Sequence, residues 1–163
     1  RAVMRMVPDC VAVNVVVARL FNTVGPRQVG HYGMVVPRFV QQAVRGEALT
    51  VYGDGTQTRS FCDVRDTVIA LHLLAQSPGG PGEIVNVGND QEIAIRDLAL
   101  LVRERAGSAS ELRYVSYLEA YGEEFEDIAH RRPVLKKLQA MTGFTPRWKL
   151  VDTLDDLIAR AEK

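Results

Sequence analysis

Apolar residues recur along this chain with two periods, one suited to strands and one to helices. The stretch from Val11 to Ala18 is rich in β-branched residues and lies between Pro8-Asp9 and a loop carrying Asn22, Gly25 and Pro26. This pattern predicts a strand covered on both faces, and so a parallel sheet. The loop runs on to Gly30 and Gly33, and beyond it Phe39, Val40, Ala43 and Val44 share one face. A short amphipathic helix is expected there, with Pro37 in its first turn and Gly46 at its end. Leu49 to Tyr52 alternates as a strand, and Gly53-Asp54-Gly55 turns the chain toward a second extended piece, Thr58 to Cys62. Asp63 is placed to cap a helix from Val64 to about Gln76 that buries Val68, Leu71 and Leu74 or Ala75, before a loop from Ser77 to Gly82. Ile84 to Val87 reads as a strand, and Leu98, Leu101 and Val102 mark a helix from roughly Arg96 to Ala106. After a surface turn at Gly107 to Ser110, Leu112 to Val115 is the last strand. The stretch Leu118 to Pro133 is charged and irregular, while helical spacing returns at Val134 to Met141 and Thr153 to Ala161, on either side of Gly143 to Pro146. The opening residues, Arg1 to Val7, look like helix cut off by Pro8 and Asp9, so the chain is expected to start in mid-element.

Strands alternating with helices indicate an α/β arrangement, but these strands are too few to complete a doubly wound nucleotide-binding sheet. Composition narrows the choice further. With 163 residues, 47% of them hydrophobic, and 20 basic against 20 acidic side chains, the chain is an ordinary globular domain rather than a disordered one. Zero net charge without long like-charged blocks gives no footprint for nucleic acid or an anionic membrane. No apolar run approaches the roughly 20 residues of a membrane helix. Cys10 and Cys62 are far apart and form no CxxC pair, so a disulfide framework and a structural zinc site are both disfavoured and a reducing, cytoplasmic setting is expected.

Two stretches carry specific chemistry. Arg19-Leu-Phe-Asn-Thr-Val-Gly-Pro-Arg-Gln28 and Leu49 to Asp66, with Thr58-Arg59-Ser60-Phe61 at its centre, resemble two signatures of the nucleotide-sugar epimerases, decarboxylases and dehydratases. These belong to the extended short-chain dehydrogenase/reductases. A third piece, Phe125 to Pro133 through Lys136-Lys137 and Gly143 to Pro146, is similar to the C-terminal end of that family, especially its UDP-glucose 4-epimerase-like members. The resemblance covers almost the whole chain. It implies the last strand or strands of an incomplete Rossmann-type sheet plus the small C-terminal substrate-binding domain. Residues 1–33 would end the dinucleotide-binding domain and carry a substrate loop; residues 34–163 would form the substrate-binding domain, with some elements returning to the main sheet.

The resemblance also assigns roles. Arg59 matches the arginine that grips the substrate diphosphate, a role suited to a planar fork of donors that stays charged at any working pH; the bland alternative is a cross-strand or surface ion pair. Asn22 matches an asparagine at the end of a buried strand, beside both the sugar phosphate and the nicotinamide, or else it stabilises its own turn. Phe21 would stand next to the cofactor or pack. Val36 and Pro37 open a helix whose first N–H groups face the nucleotide, although capping alone would explain them. Thr50, Val51 and Tyr52 match a strand that reads the uracil ring through its main chain, with packing as the alternative. Arg131 matches a second diphosphate arginine; because Val134 stands where the family commonly has an aspartate, Arg132 remains a rival. Asp54, Asp63 and Asp66 suit turn and helix-start roles rather than acid catalysis, as do Glu123, Glu124, Glu126 and Asp127. His31, His72 and His130 show no metal-binding spacing, so no metal is expected, and His72 reads as packed or capped within its helix.

In the family, a tyrosine acts as base and a lysine four residues later lowers its pKa while a sugar hydroxyl is oxidised by bound NAD. None of Tyr32, Tyr52, Tyr114, Tyr117 or Tyr121 has a lysine at that distance, so no catalytic residue is assigned here. Gly79 to Gly82 follows a helix and contains proline, unlike the glycine turn that seats a dinucleotide pyrophosphate. The expectation is therefore a UDP-sugar-binding part whose parent is an NAD-dependent, homodimeric 4-epimerase working through a 4-keto intermediate. Its main NAD site and an N-terminal cofactor-binding half would lie elsewhere. A UDP-glucuronate decarboxylase or a sugar-nucleotide dehydratase is the near alternative, and a non-catalytic nucleotide-sugar module is the distant one.

Overall fold

The computed structural model describes residues 14–28, 34–122 and 127–162. Within them the chain order is β1 (Val17–Leu20), β2 (Thr23–Val24), α1 (Val35–Val44), β3 (Leu49–Tyr52), β4 (Thr58–Ser60), β5 (Cys62–Asp63), α2 (Val64–Gln76), β6 (Ile84–Val87), β7 (Glu92–Ala94), α3 (Ile95–Arg105), β8 (Leu112–Val115), α4 (Tyr117–Tyr121), β9 (His130–Arg131), α5 (Lys136–Thr142) and α6 (Leu150–Ala161). Most pairing is parallel, as the β-branched runs imply: β1 with β6, β2 with β5, and β3 with β8. The fourth sheet has β4 at its centre, antiparallel to β7 and parallel to β9. The α/β class is thus as expected. β3, α2, β6 and β8 coincide with their sequence boundaries because strong local signals mark their ends. Asp63, for example, caps α2 by accepting a hydrogen bond from the Arg65 N–H at 2.8 Å.

Two apolar cores hold these elements. In the larger, α1 and α3 pack on β3 and α6 packs on both helices, burying Phe39, Leu49, Leu98, Val102 and Leu154. In the smaller, α2 and α5 cover one face of the β1–β6 pair, burying Ala70, Leu74, Val85, Val87 and Leu138. The first turn of α2 ties the two together. The buried Asp63 accepts from the Thr153 hydroxyl of α6 at 2.7 Å, and the buried Asp66 accepts from the Arg147 and Trp148 N–H groups at 3.0 and 2.9 Å.

Several expectations are corrected. The first strand spans Val17–Leu20 rather than Val11 to Ala18, of which Val11 to Val13 lie outside the described residues. It is covered on one face only, with Val17 48% exposed beside Ile84 at 53%, because no described element packs on that side. Helix α2 buries Leu74 as expected but pairs it with Ala70, whereas Val68 is 59% exposed and Leu71, His72 and Ala75 also face outward. His72 is therefore neither packed nor capped. The extended piece from Thr58 to Cys62 is two strands in different sheets, β4 and β5. β7 arises between the expected strand and helix where the sequence predicts no element, and α4 and β9 at or within the stretch that reads as irregular; each is five residues or fewer and lacks a period of its own. Arg1 to Val7, Cys10, Gly30, His31, Tyr32, Gly33 and Glu123 to Glu126 lie outside the described residues.

Candidate functional site

Where β1 ends, Asn22 adopts a φ of +37°, a left-handed conformation that asparagine tolerates better than most residues. Its side-chain amide donates to the Ser60 carbonyl at 2.8 Å, and its own carbonyl accepts from the Cys62 N–H at 3.1 Å. This fastens the β1–β2 corner to the β4–β5 corner and sets Asn22 in the wall of a cavity of about 450 Å³. The Cys62 thiol beneath is pushed up to about 11 by burial, so it stays a protonated packing group.

The same cavity collects most of the residues singled out from sequence. Arg59 and Arg131 face each other as register partners on β4 and β9, and both line it, as do Val36, Pro37 and Tyr52. Arg131 also lies with its guanidinium 5.8 Å from the Phe21 ring centroid. Gly88 lets Phe21 and Pro133 pack close to the backbone, since a Cβ there would lie 3.0 Å from the Phe21 Cβ and 3.1 Å from the Pro133 ring. Arg132 points elsewhere, with its Nε 3.9 Å from Glu92. The start of α1 has no side-chain cap at Met34, and its first turn, Val35 to Arg38, lines the cavity. Thr50 stays outside the wall. Its N–H bonds Gln42 at 3.1 Å and its carbonyl accepts from Arg38 at 3.1 Å. Phe21 packs beneath Arg131 without lining the cavity.

Sequence reasoning missed Arg38, Gln57 and Tyr117 as members of this site and gave Asp127 only a turn or helix-start role. The Arg38 guanidinium lies over the Tyr52 ring at 4.2 Å, yet its Nε is shielded and unpartnered among the described residues. The side-chain oxygen of Gln28, also in the wall, is shielded and unpartnered in the same way. Buried polar atoms left alone are costly, and two in one wall mark a place where a polar ligand would complete the hydrogen bonding. Among the described lining residues, three guanidinium groups (Arg38, Arg59, Arg131) face one carboxylate (Asp127), leaving two net positive charges.

Residues 2–88, more than half of the chain, match the family described as NAD dependent epimerase/dehydratase. The chain belongs to the NAD-dependent epimerase/dehydratase family. It is 39% identical over 133 residues to a UDP-N-acetyl-alpha-D-glucosaminuronate decarboxylase of Bacillus cytotoxicus, a match covering 81% of this chain and 41% of that protein. It is 40% identical over 146 residues to UDP-glucuronic acid decarboxylase 1 of Xenopus tropicalis, covering 90% of this chain and 33% of that one. Among solved structures it is similar to a UDP-glucose 4-epimerase of Thermotoga maritima, with a TM-score of 0.77 and 26% identity over 87% of this chain and 44% of the other. The chain therefore spans well under half the length of these relatives and shares part of their Rossmann-type α/β fold.

Proposed function

We propose that this chain of the NAD-dependent epimerase/dehydratase family holds a UDP-sugar by its diphosphate, between Arg59 and Arg131, within a larger enzyme that oxidises the sugar at C4. The observation that carries this reading is the register pairing of Arg59 with Arg131 on adjoining strands of one cavity wall. Two guanidinium forks on neighbouring strands suit a diphosphate, with one fork available to each phosphate. The net charge of the described wall, two positive, equals the charge a diphosphate diester brings.

Asn22, at the end of β1, would contact the sugar-phosphate end of the substrate, and the uncapped start of α1 with Val36 and Pro37 would face the nucleotide. The Tyr52 ring, already stacked on Arg38, offers a flat surface to the base. Thr50 would act only through Tyr52, since its main-chain groups are bonded. In this reading residues 1–33 contribute the edge of the cofactor domain and residues 34–163 the substrate domain. Bound NAD supplies the hydride acceptor of the reaction. Gly79 to Gly82 joins the end of α2 to β6 instead of turning a strand into a helix, which supports placing the NAD pyrophosphate outside this loop. Phe21 and Asn22 would provide edge contacts to the nicotinamide at most, and the remaining cofactor contacts would come from a separate, N-terminal half.

The first reading of the parent reaction is 4-epimerisation through a 4-keto intermediate. Decarboxylation of a UDP-uronic acid is the second, and the 39–40% identity to two decarboxylases favours it. Both require the same diphosphate grip. Titration of the 163-residue chain with UDP by calorimetry tests it: Arg59→Ala and Arg131→Ala should each weaken UDP by about tenfold or more, the equivalent of one charge-assisted hydrogen-bond set. Uridine, which has no phosphate, should bind all three proteins alike. Unchanged UDP affinity in both variants would remove the assignment.

A further inference from the structure

Arg59 is clamped at one end of its guanidinium. Nη1 donates to the Thr58 and Ile128 carbonyls, each at 2.7 Å, and Nη2 donates to Asp127 Oδ1 at 2.6 Å. The other Asp127 oxygen accepts from the Tyr117 hydroxyl at 3.0 Å. That hydroxyl in turn accepts from Gln57 Nε2 at 3.0 Å, and the same nitrogen donates to the Tyr52 carbonyl at 3.0 Å. Behind the tyrosine lies Gly53, at φ +66°, where a Cβ would come within 2.8 Å of the Tyr117 ring. The β3–β4 turn, α4 and the segment leading into β9 thus converge on one guanidinium.

Of the five N–H donors of Arg59, these bonds take three. The Nε–H and the second Nη2 hydrogen take no partner among the described residues. In a planar guanidinium those two point the same way, as a side-on pair matched to two oxygens of one phosphate. On the diphosphate reading given above, we infer that Asp127, braced by Tyr117, is a positioning residue that locks the far end of Arg59 and presents its Nε–Nη2 edge to the ligand.

Simple electrostatics makes the opposite prediction. Asp127 is the one carboxylate among the described lining residues, so its removal raises the positive charge of the wall and would tighten an anion if charge alone mattered. The sign of the change therefore separates positioning from charge. Asp127→Ala should weaken UDP by ~10-fold, about the worth of one oriented charge-assisted bond, while leaving uridine unchanged. Asp127→Asn keeps an oxygen to accept from Nη2 and loses the charge, so it should bind UDP as well as the unmodified chain or more tightly. In an Arg59→Ala background, Asp127→Ala should add no further loss. A merely structural role would not give this pattern, because misfolding would weaken uridine too and would not vanish when Arg59 is absent. Tighter or equal UDP binding by Asp127→Ala, with Arg59→Ala still weakened, overturns the positioning role and leaves the diphosphate reading standing. If Arg59→Ala itself binds UDP normally, the positioning role falls, and if Arg131→Ala does so too the diphosphate reading falls with it.

Discussion

The two cores of this protein are built from the same residue types and end up with different surroundings. In the larger, Phe39, Leu49, Leu98 and Leu154 are fully enclosed because α1 and α3 cover β3 and α6 closes over both helices. In the smaller, Val85 and Val87 are equally enclosed, yet Val17 and Ile84, their neighbours on the same two strands, lie open on the reverse face. A parallel pair reads as a continuous apolar run because both faces are normally covered, and here the described elements cover one. The same division runs through α2, whose Ala70 and Leu74 are buried while Val68 and Leu71 face out. The larger core is complete in itself, and the smaller one carries an apolar face suited to a further layer.

That contrast can be broken experimentally, beginning with the cores. Phe39→Ala should cost about 3–5 kcal/mol of unfolding free energy, and Leu138→Ala, under a single helical layer, about 2 kcal/mol, as read from urea midpoints. A smaller Phe39 effect than Leu138 effect would reverse the ranking of the cores. Next in size, Asp66→Ala strips the acceptor from two backbone N–H groups at the junction and should cost about 2–3 kcal/mol. Trp148, the single tryptophan, sits at that junction, so its fluorescence and the far-UV circular dichroism should then unfold at different urea concentrations; coincident transitions would show that the cores are coupled elsewhere.

Asp63 gives the pH dependence. Burial raises its pKa, but hydrogen bonds from Arg65 and Thr153 outweigh this and hold the carboxyl below the usual value near 3.8. A group lowered in the folded state contributes stability that is complete above its unfolded pKa and lost as pH falls through the folded one. The unmodified chain should therefore lose stability as pH drops below about 4, by an amount that Asp63→Asn removes, with the variant about 1–2 kcal/mol less stable at neutral pH. Equal acid slopes in the two proteins would rule this out. Smallest in stability is the open face, where Val17→Ser and Ile84→Ser should each cost under about 0.5 kcal/mol. Both should nonetheless lower the binding of a hydrophobic dye, and unchanged dye fluorescence would mean that the face is covered in solution.

Much of the fold was legible where a local signal marks each end of an element. The Asp63 cap and the proline-glycine loop bound α2, β-branched runs define β3 and β6, and Gly46 closes the helix that Pro37 helps to open. Helical period alone did not reveal which stripe of α2 turns inward, because Val68-Leu71 and Ala70-Leu74 are both apolar and only the neighbouring sheet chooses between them. The candidate site divides similarly. Resemblance to a family singled out Asn22, Arg59 and Arg131 one by one, and the fold sets all three in the lining of one cavity. Arg38, Tyr117 and Asp127 carry no local signature, since each becomes part of the cavity by meeting a residue remote in the chain: Tyr52 for Arg38, Arg59 for Asp127 and Gln57 for Tyr117.

By itself the sequence determined what acts within a few residues: strand or helix, caps and turns, the α/β alternation, and the presence of an arginine fork in a family motif. Only the tertiary structure decided the partners. Thr58 bonds His130 across 72 positions of sequence, and through that pairing β4 and β9 bring Arg59 opposite Arg131. Closing so long a loop is favourable only when the packing of the whole molecule repays its entropy, and no short stretch of residues carries that information.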